Sequence, residues 1–291
     1  MIAANHMPLV ESFFHKDTNT FTHVVYDRDG GTAAIIDPVL DYDAVAARTS
    51  TVSADAVLAF VREHKLHTTW ILETHAHADH LSAGGYLRDV LGAKLAIGRG
   101  IVGVQAHFKK LFGLGDEFVA DGSQFDRLFD DGNTFDIGSL QCRVMATPGH
   151  TADSLTYVVG DAAFIGDTLF APETGSARTD FPGGDAAQLH ASIRRILALP
   201  QDTRLFLCHD YPPATRAAAP QVSIAAQREH NAHVGANESD YVALRNARDA
   251  TLPVPRLILP ALQVNIRGGR LPEADADGVR YLKIPLNRIG K

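Results

Sequence analysis

Short, almost wholly apolar segments alternate along this chain with longer segments whose apolar residues recur at helical spacing. "FTHVVYD" (Phe21–Asp27) and "GTAAIIDPV" (Gly31–Val39) predict two strands joined by the turn "RDGG". Asp37 precedes Pro38, which ends the second strand. "SADAVLAFVREHKL" predicts a helix with Ser53 as N-cap and Val57, Leu58, Val61 and, at its end, Leu66 on the apolar face. "TTWILET" and "KLAIG" predict strands buried on both faces. Between them, "LSAGGYLRDVLG" predicts a helix stopped by Gly92. "GVQAHFKKLFGLGDEF" predicts a short helix and a loop. From Asp131 onward "TFDIG", "LQCRVMATPGH", "SLTYVVG" and "AAFIGDTLF" predict strands at short intervals. "AQLHASIRRILALP" predicts an amphipathic helix with Leu189, Ile193, Ile196 and Leu197 on one side. A buried strand, "TRLFLCHDY", follows, then helices near 222–233 and 239–249. The tail from Pro253 is Pro-rich, then mildly apolar, and no regular element is read there.

The order is β-rich, βαβ, β-rich and then βα. Two sheets with helices packed outside accommodate it, an α/β fold of the αββα sandwich class. We expect a catalytic domain over residues 1–235, with a helical and extended C-terminal region packed on it over 236–291. A chain of 291 residues can bury a substantial core without disulfide or metal staples.

Charge and composition narrow the function classes. The net charge is −7 and no Lys/Arg run occurs, which argues against a nucleic-acid partner. The N-terminus lacks the basic start and apolar run of a secretory signal. No apolar stretch approaches the ~18 residues that span a bilayer. The expectation is a soluble cytoplasmic protein with no membrane partner; a homodimer is compatible with the sequence but not specified by it. The two cysteines, Cys142 and Cys208, form no CxxC motif and fit a reducing compartment. Both lie in apolar strands and read as inert buried thiols.

The 14 histidines stand out, and their placement matters more than their number. "ETHAHADHLSAGG" carries His75, His77, Asp79 and His80 within six positions. His75 follows "TTWILET", His150 follows "CRVMATPG", Asp167 follows "AAFIG" and His209 follows "LFLC". A lone histidine on a loop, or an aspartate in a "GDT" turn, is usually a packed or surface residue. Four strand ends offering His, His, Asp and His on a rigid scaffold are better explained by a metal. Two arrangements are open. All seven residues could hold two zinc ions whose bridging hydroxide attacks an ester or thioester. Alternatively, two histidines and one carboxylate could hold a single Fe(II) facially. Spacing does not separate them.

"THAHADH" matches the THxHxDH signature of the metallo-β-lactamase superfamily, and His150, Asp167 and His209 match its later ligands in order. The resemblance spans roughly Phe13 to Asn231. "ATPGHTADSLTYVVGD", "FIGDTLF", "ARTDFPGGD" and "CHDY" resemble the persulfide dioxygenase branch, which is related to glyoxalase II. Arg178-Thr179-Asp180-Phe181 is the most telling fragment, because glyoxalase II typically has a lysine followed by an aromatic-acidic pair there. The tail "GGRLPEADADGVRYLKIPLN" resembles an extension in some bacterial members.

The resemblance implies an αββα sandwich with one non-haem Fe(II) held by His75, His150 and Asp167. It implies oxidation of glutathione persulfide with O2 and water to sulfite and glutathione. His77, Asp79, His80 and His209 would then be second-metal ligands retained behind the first set. His209 and Tyr211 are the catalytic candidates, Tyr211 as a hydrogen-bond donor to the reacting oxygen or sulfur. Arg178 is the expected cation for a glutathione carboxylate, with Arg228, Lys283 and Arg288 as weaker candidates. One departure stands out: many relatives have "GCGR" where this chain has Gly175-Ser176-Ala177-Arg178. The main rival is a glyoxalase II-type di-zinc thioester hydrolase. A non-catalytic metal-binding or sensor protein fits the complete ligand set less well.

Overall fold

The computed structural model describes residues 7–289. β1 (Leu9–His15), β2 (Thr20–Tyr26) and β3 (Thr32–Ile36) form an antiparallel meander, and β4 (Val39–Asp43) and β5 (Arg48–Ser50) a small hairpin. Next come α1 (Val52–Glu63), β6 (His67–Leu72), β7 (Leu81–Ser82), α2 (Gly84–Leu91), β8 (Lys94–Gly98), α3 (Ile101–Phe112) and β9 (Arg127–Phe129). The second half runs β10 (Thr134–Ile137), β11 (Leu140–Ala146), β12 (Leu155–Val159), β13 (Ala162–Phe164), α4 (Ala186–Leu197), β14 (Arg204–Phe206) and β15 (Gln221–Ser223). It closes with α5 (Ile224–His230), α6 (Glu238–Asp249) and α7 (Ile258–Asn265).

Two six-stranded sheets result, ordered β1-β2-β3-β6-β8-β9 and β10-β11-β12-β13-β14-β15. The parallel neighbours β3, β6, β8 and β9 are joined through α1, α2 and α3, as parallel pairing requires a long crossover. Successive residues of the inner strands enter different cores. Ala33 and Ile35 face one core with α1, α2, α3 and α7, while Ala34 and Ile36 lie between the sheets. In the second sheet, Ala162 and Phe206 face inward, and Ala163 and Leu205 pack with α4, α5 and α6. Burial on both faces explains why these strands read as unbroken apolar runs rather than as alternation. The expected αββα sandwich is therefore observed. No helix among the described residues is long and apolar enough to cross a membrane.

The structure corrects several local expectations. Ser53 does not cap α1: Thr51 occupies that place, and both the Ser53 hydroxyl and its backbone N–H donate to the Asp41 carboxylate at 2.7 and 2.9 Å. Leu81–Ser82 pairs with β4 as a strand, so α2 starts only at Gly84. The segment expected as one helix near 222–233 splits into β15 and α5. The tail holds an unexpected helix, α7. Its Pro260 lies in the first turn, where backbone N–H groups have no intrahelical partner, so the ring costs the helix little. Helix α7 reaches the chemistry through Asn265. Its side-chain NH2 donates to the carbonyls of His77 and His80 at 2.7 and 2.8 Å, and its oxygen accepts from Ser82 N–H at 2.8 Å.

Candidate metal centre

The carboxyl ends of β3 and β6 from one sheet, and of β11, β13 and β14 from the other, supply the polar residues that converge at one edge of the sandwich. Asp37, just past β3, has a left-handed backbone (φ 50°), which a short polar side chain tolerates better than most. Its carboxylate accepts from Thr74 N–H at 2.7 Å, from the Thr74 hydroxyl at 2.9 Å and from His77 Nε2 at 3.0 Å. Asp37 thus fixes the His75–His80 loop from below. Gly166, also left-handed, lets the end of β13 approach this loop, because a Cβ there would lie 2.8 Å from the Thr74 side chain. Asp153 ties the His150 loop to the same place by accepting from Ala76 N–H at 2.8 Å.

His75, His150 and Asp167 form one set, each offering a ligand atom within 4.8 Å of the others. The Nδ1 of His75 meets the Thr74 hydroxyl at 3.0 Å, and the Nδ1 of His150 donates to the Arg178 carbonyl at 2.7 Å. These contacts turn both Nε2 atoms toward Asp167 Oδ2, at 3.9 and 3.7 Å. Burial, then the neighbouring His77 and His150, holds His75 well below the usual imidazole range, so it presents a lone pair.

His77, Asp79, His80 and His209 form the second set, again within 4.8 Å. Carboxylates dominate here. Burial disfavours a charged His77, but Asp37 and Glu73 outweigh it and hold the ring well above its ordinary value. For His209, burial is likewise outweighed by Asp79, at 3.2 Å, and Asp167, at 3.5 Å. His80 is pulled down to about 4 by burial and then by His77. Asp167 stands between the two sets.

Nε2 of His75, His80 and His209, Nδ1 of His77 and Oδ1 of Asp167 are buried without a hydrogen-bond partner in the protein. Orphaned donors and acceptors are rare in folded proteins. Five of them within these two adjoining sets, all of types that ligate metals, fit a bound cation. The chemistry of the set suits Zn, Fe, Mn or Ni.

A cavity of about 740 Å³ opens on this cluster and is lined by Asp79, His150, Asp167, Phe170, Phe181 and Tyr211 among others. Tyr211 stacks on His209 with ring centroids 5.9 Å apart at 15°. Desolvation, then the Asp79 and Asp167 carboxylates, raises its phenol above the ordinary value, so it remains a donor.

The two expected substrate cations are placed differently. Arg178 lines the cavity, but its guanidinium already grips Asp180 through two bonds (2.6 and 2.8 Å), donates to Pro253 O at 2.7 Å and lies over the Phe181 ring. The part of Arg178 that meets the centre is its backbone carbonyl. Arg228 lies outside the cavity lining and donates to Leu197 O at the end of α4. Sequence reading also missed Asp37, Thr74 and Asn265, which act from behind the ligands. Cys208, read only as core, offers a sulfur within 4.8 Å of ligand atoms of Asp167 and His209; burial, then Asp167, keeps it a protonated thiol.

A sequence model of the metallo-beta-lactamase superfamily matches residues 17–209. The chain is 54% identical over 282 residues to a beta-lactamase hydrolase-like protein of Agrobacterium fabrum, covering 97% of this chain and 65% of that protein. It therefore spans just under two-thirds of that relative's length. It is 45% identical to Glyoxylase B2 of Dictyostelium discoideum, covering 96% of this chain and 97% of that protein. To the human mitochondrial persulfide dioxygenase ETHE1 it is 30% identical, covering 90% and 89% respectively. The crystal structure of ETHE1 from Myxococcus xanthus superposes with a TM-score of 0.72 at 30% identity, covering 90% of this chain and all of that one.

Proposed function

The chain belongs to the metallo-beta-lactamase superfamily, and on that premise we propose that it is a persulfide dioxygenase working at one non-haem iron. His75, His150 and Asp167 would hold the metal. The observation that carries this reading is the orientation of that set: two imidazoles, each locked through Nδ1, turn Nε2 onto one carboxylate. Two histidines and a carboxylate on one face are the donor set of non-haem Fe(II) oxygenases. Bound iron would supply the one-electron chemistry that dioxygen needs and protein side chains lack.

The overall reaction balances as glutathione persulfide plus O2 plus H2O giving glutathione and sulfurous acid, which ionises to sulfite. The sulfane sulfur loses four electrons and dioxygen gains them. This chain's residues position and screen the reactants. Phe170 and Phe181 make the cavity wall beside the ligands apolar. Tyr211 presents a protonated phenol, and its stacking on His209 holds the ring at the cavity edge. The Arg178 carbonyl holds the His150 tautomer.

A glyoxalase II-type thioester hydrolase with two zinc ions is the second reading. The four further donors and the likeness to Glyoxylase B2 favour it. Oxygen uptake and sulfite release on adding glutathione persulfide to anaerobically prepared protein test the proposal. Stoichiometric sulfite supports it. Cleavage of a glutathione thioester with no oxygen uptake overturns it in favour of the hydrolase.

A further inference from the structure

Phe170 and Tyr211 enter the cavity from two segments that lie outside any helix or strand. Their rings meet edge to face, with centroids 5.8 Å apart at 87°. Tyr211 is 45% exposed, so its contacts with Phe170 and His209 do not by themselves fix the ring. The backbone that carries it must be held, and the chain offers two means. Pro212 and Pro213 follow directly and restrict φ. The other means is Arg216.

Arg216 lies outside the cavity lining, behind the wall. A guanidinium has five N–H donors in one plane, and here each has an acceptor. Nη1 donates to Asp210 Oδ2 at 2.5 Å and to Ala217 O at 3.0 Å, and Nη2 donates to Asp210 Oδ1 at 2.8 Å. Nε donates to Glu173 Oε1 at 3.0 Å, and Nη2 reaches the same oxygen. Asp210 is buried and also accepts from Ala219 N–H at 2.7 Å, which draws the two ends of the 210–219 segment together. Glu173 sits in the turn that Thr174 N–H closes on Ala171 O at 2.8 Å. One guanidinium therefore joins the residue before Tyr211 to a residue three positions after Phe170. Exposed ion pairs usually contribute little, but a bidentate fork on a buried carboxylate is directional. No N–H is left over for a substrate anion, so the arrangement is a tether and not a binding group.

We propose that Arg216 is a positioning residue, a tether that sets Tyr211 against Phe170 and His209 by holding the segments that carry the first two rings. Its effect on turnover rests on the dioxygenase reading above; the tether itself does not. Backbone hydrogen exchange on the metal-loaded protein reads the tether without turnover. The bonded N–H groups of Thr174, Gly175, Arg216 and Ala219 are the reporters. In Arg216→Met, exchange over 171–175 and 210–219 should quicken together by about 10-fold or more, as expected for lost hydrogen bonds to charged groups, with 75–80 and the metal content unchanged. Arg216→Lys should restore only part of the protection, because an ammonium has three donors and no planar fork. Glu173→Ala, at an exposed position, should loosen 171–175 and leave 210–219 protected; it carries the test if Arg216→Met fails to fold. With glutathione persulfide, Arg216→Met should lower kcat by about 10- to 100-fold at a KM within about twofold. In a Tyr211→Phe background the same change should lower kcat by no more than about threefold. Unchanged exchange at either segment of Arg216→Met, or at 171–175 of Glu173→Ala, overturns the tether and leaves Pro212 and Pro213 to hold the ring. An equal loss of kcat in both backgrounds overturns action through Tyr211. A tether seen by exchange in protein that takes up no oxygen sinks the dioxygenase reading alone. Oxygen uptake with unchanged exchange sinks the tether alone.

Discussion

His75 and His150 each lean on an uncharged partner, the Thr74 hydroxyl and the Arg178 carbonyl. His77 leans on the carboxylates of Asp37 and Glu73, and His209 faces Asp79. The residue types are the same in the two sets, but their surroundings set different tasks. An imidazole held through Nδ1 by a neutral group offers Nε2 as a lone pair at little cost. An imidazole backed by carboxylates sits in a more negative surround, and the ring nitrogen facing away from the carboxylate stays available to a cation. His77 turns its Nε2 toward Asp37 and leaves its Nδ1 without a hydrogen-bond partner beside Asp79, His80 and His209. On the one-iron reading proposed above, the first set would be the metal site and the second its charged surround.

The comparison breaks most decisively at Asp167, a member of the first set that also faces His209 of the second. Asp167→Ala should remove nearly all metal and activity, a loss beyond the ~10–100-fold typical for groups behind the ligands; metal analysis and sulfite release measure it. Equal metal retention in Asp167→Ala and wild type would break the account at its root. Asp37→Asn comes next. It keeps an acceptor for Thr74 N–H but weakens the hold on the Thr74 hydroxyl and His77, so metal affinity should fall by ~10–100-fold in a chelator competition titration.

Much of this was legible in the chain. The apolar runs "TAAII", "TWIL" and "KLAIG" gave the inner strands because burial on both faces leaves no polar alternation to misread. The convergence of His75, His150, Asp167 and His209 was legible because each follows such a run. What stood behind them was not. Asp37 precedes a proline and reads as a strand terminator. Asn265 lies in a segment whose prolines conceal a helix, and nothing local announces a contact 188 positions away with His77. Arg178 shows what a charge alone leaves open. Its charge suggested a substrate grip, but Asp180, two residues on, occupies the guanidinium fork.

Smaller effects sharpen the comparison. Asn265→Ala removes three hydrogen bonds to the second set's loop and none to the first set. At about 1 kcal/mol each, the folding stability should drop by ~2–3 kcal/mol in a denaturant titration, with less effect on metal affinity than Asp37→Asn. Arg178→Lys should matter least. The backbone carbonyl that holds His150 remains, and a partly exposed ion pair contributes about 0.2–1 kcal/mol, so KM should rise no more than about fivefold at unchanged metal content. A loss of metal in Arg178→Lys would show that the guanidinium, not the carbonyl, maintains the centre.

The division of labour between the two sets is tested most directly by counting metal in one pair of samples: anaerobically prepared wild-type protein and His80→Ala. One iron per chain is expected in both, with the variant's turnover lowered by no more than ~10–100-fold. Two tightly bound zinc ions in active wild-type protein, falling to one in His80→Ala, would contradict it.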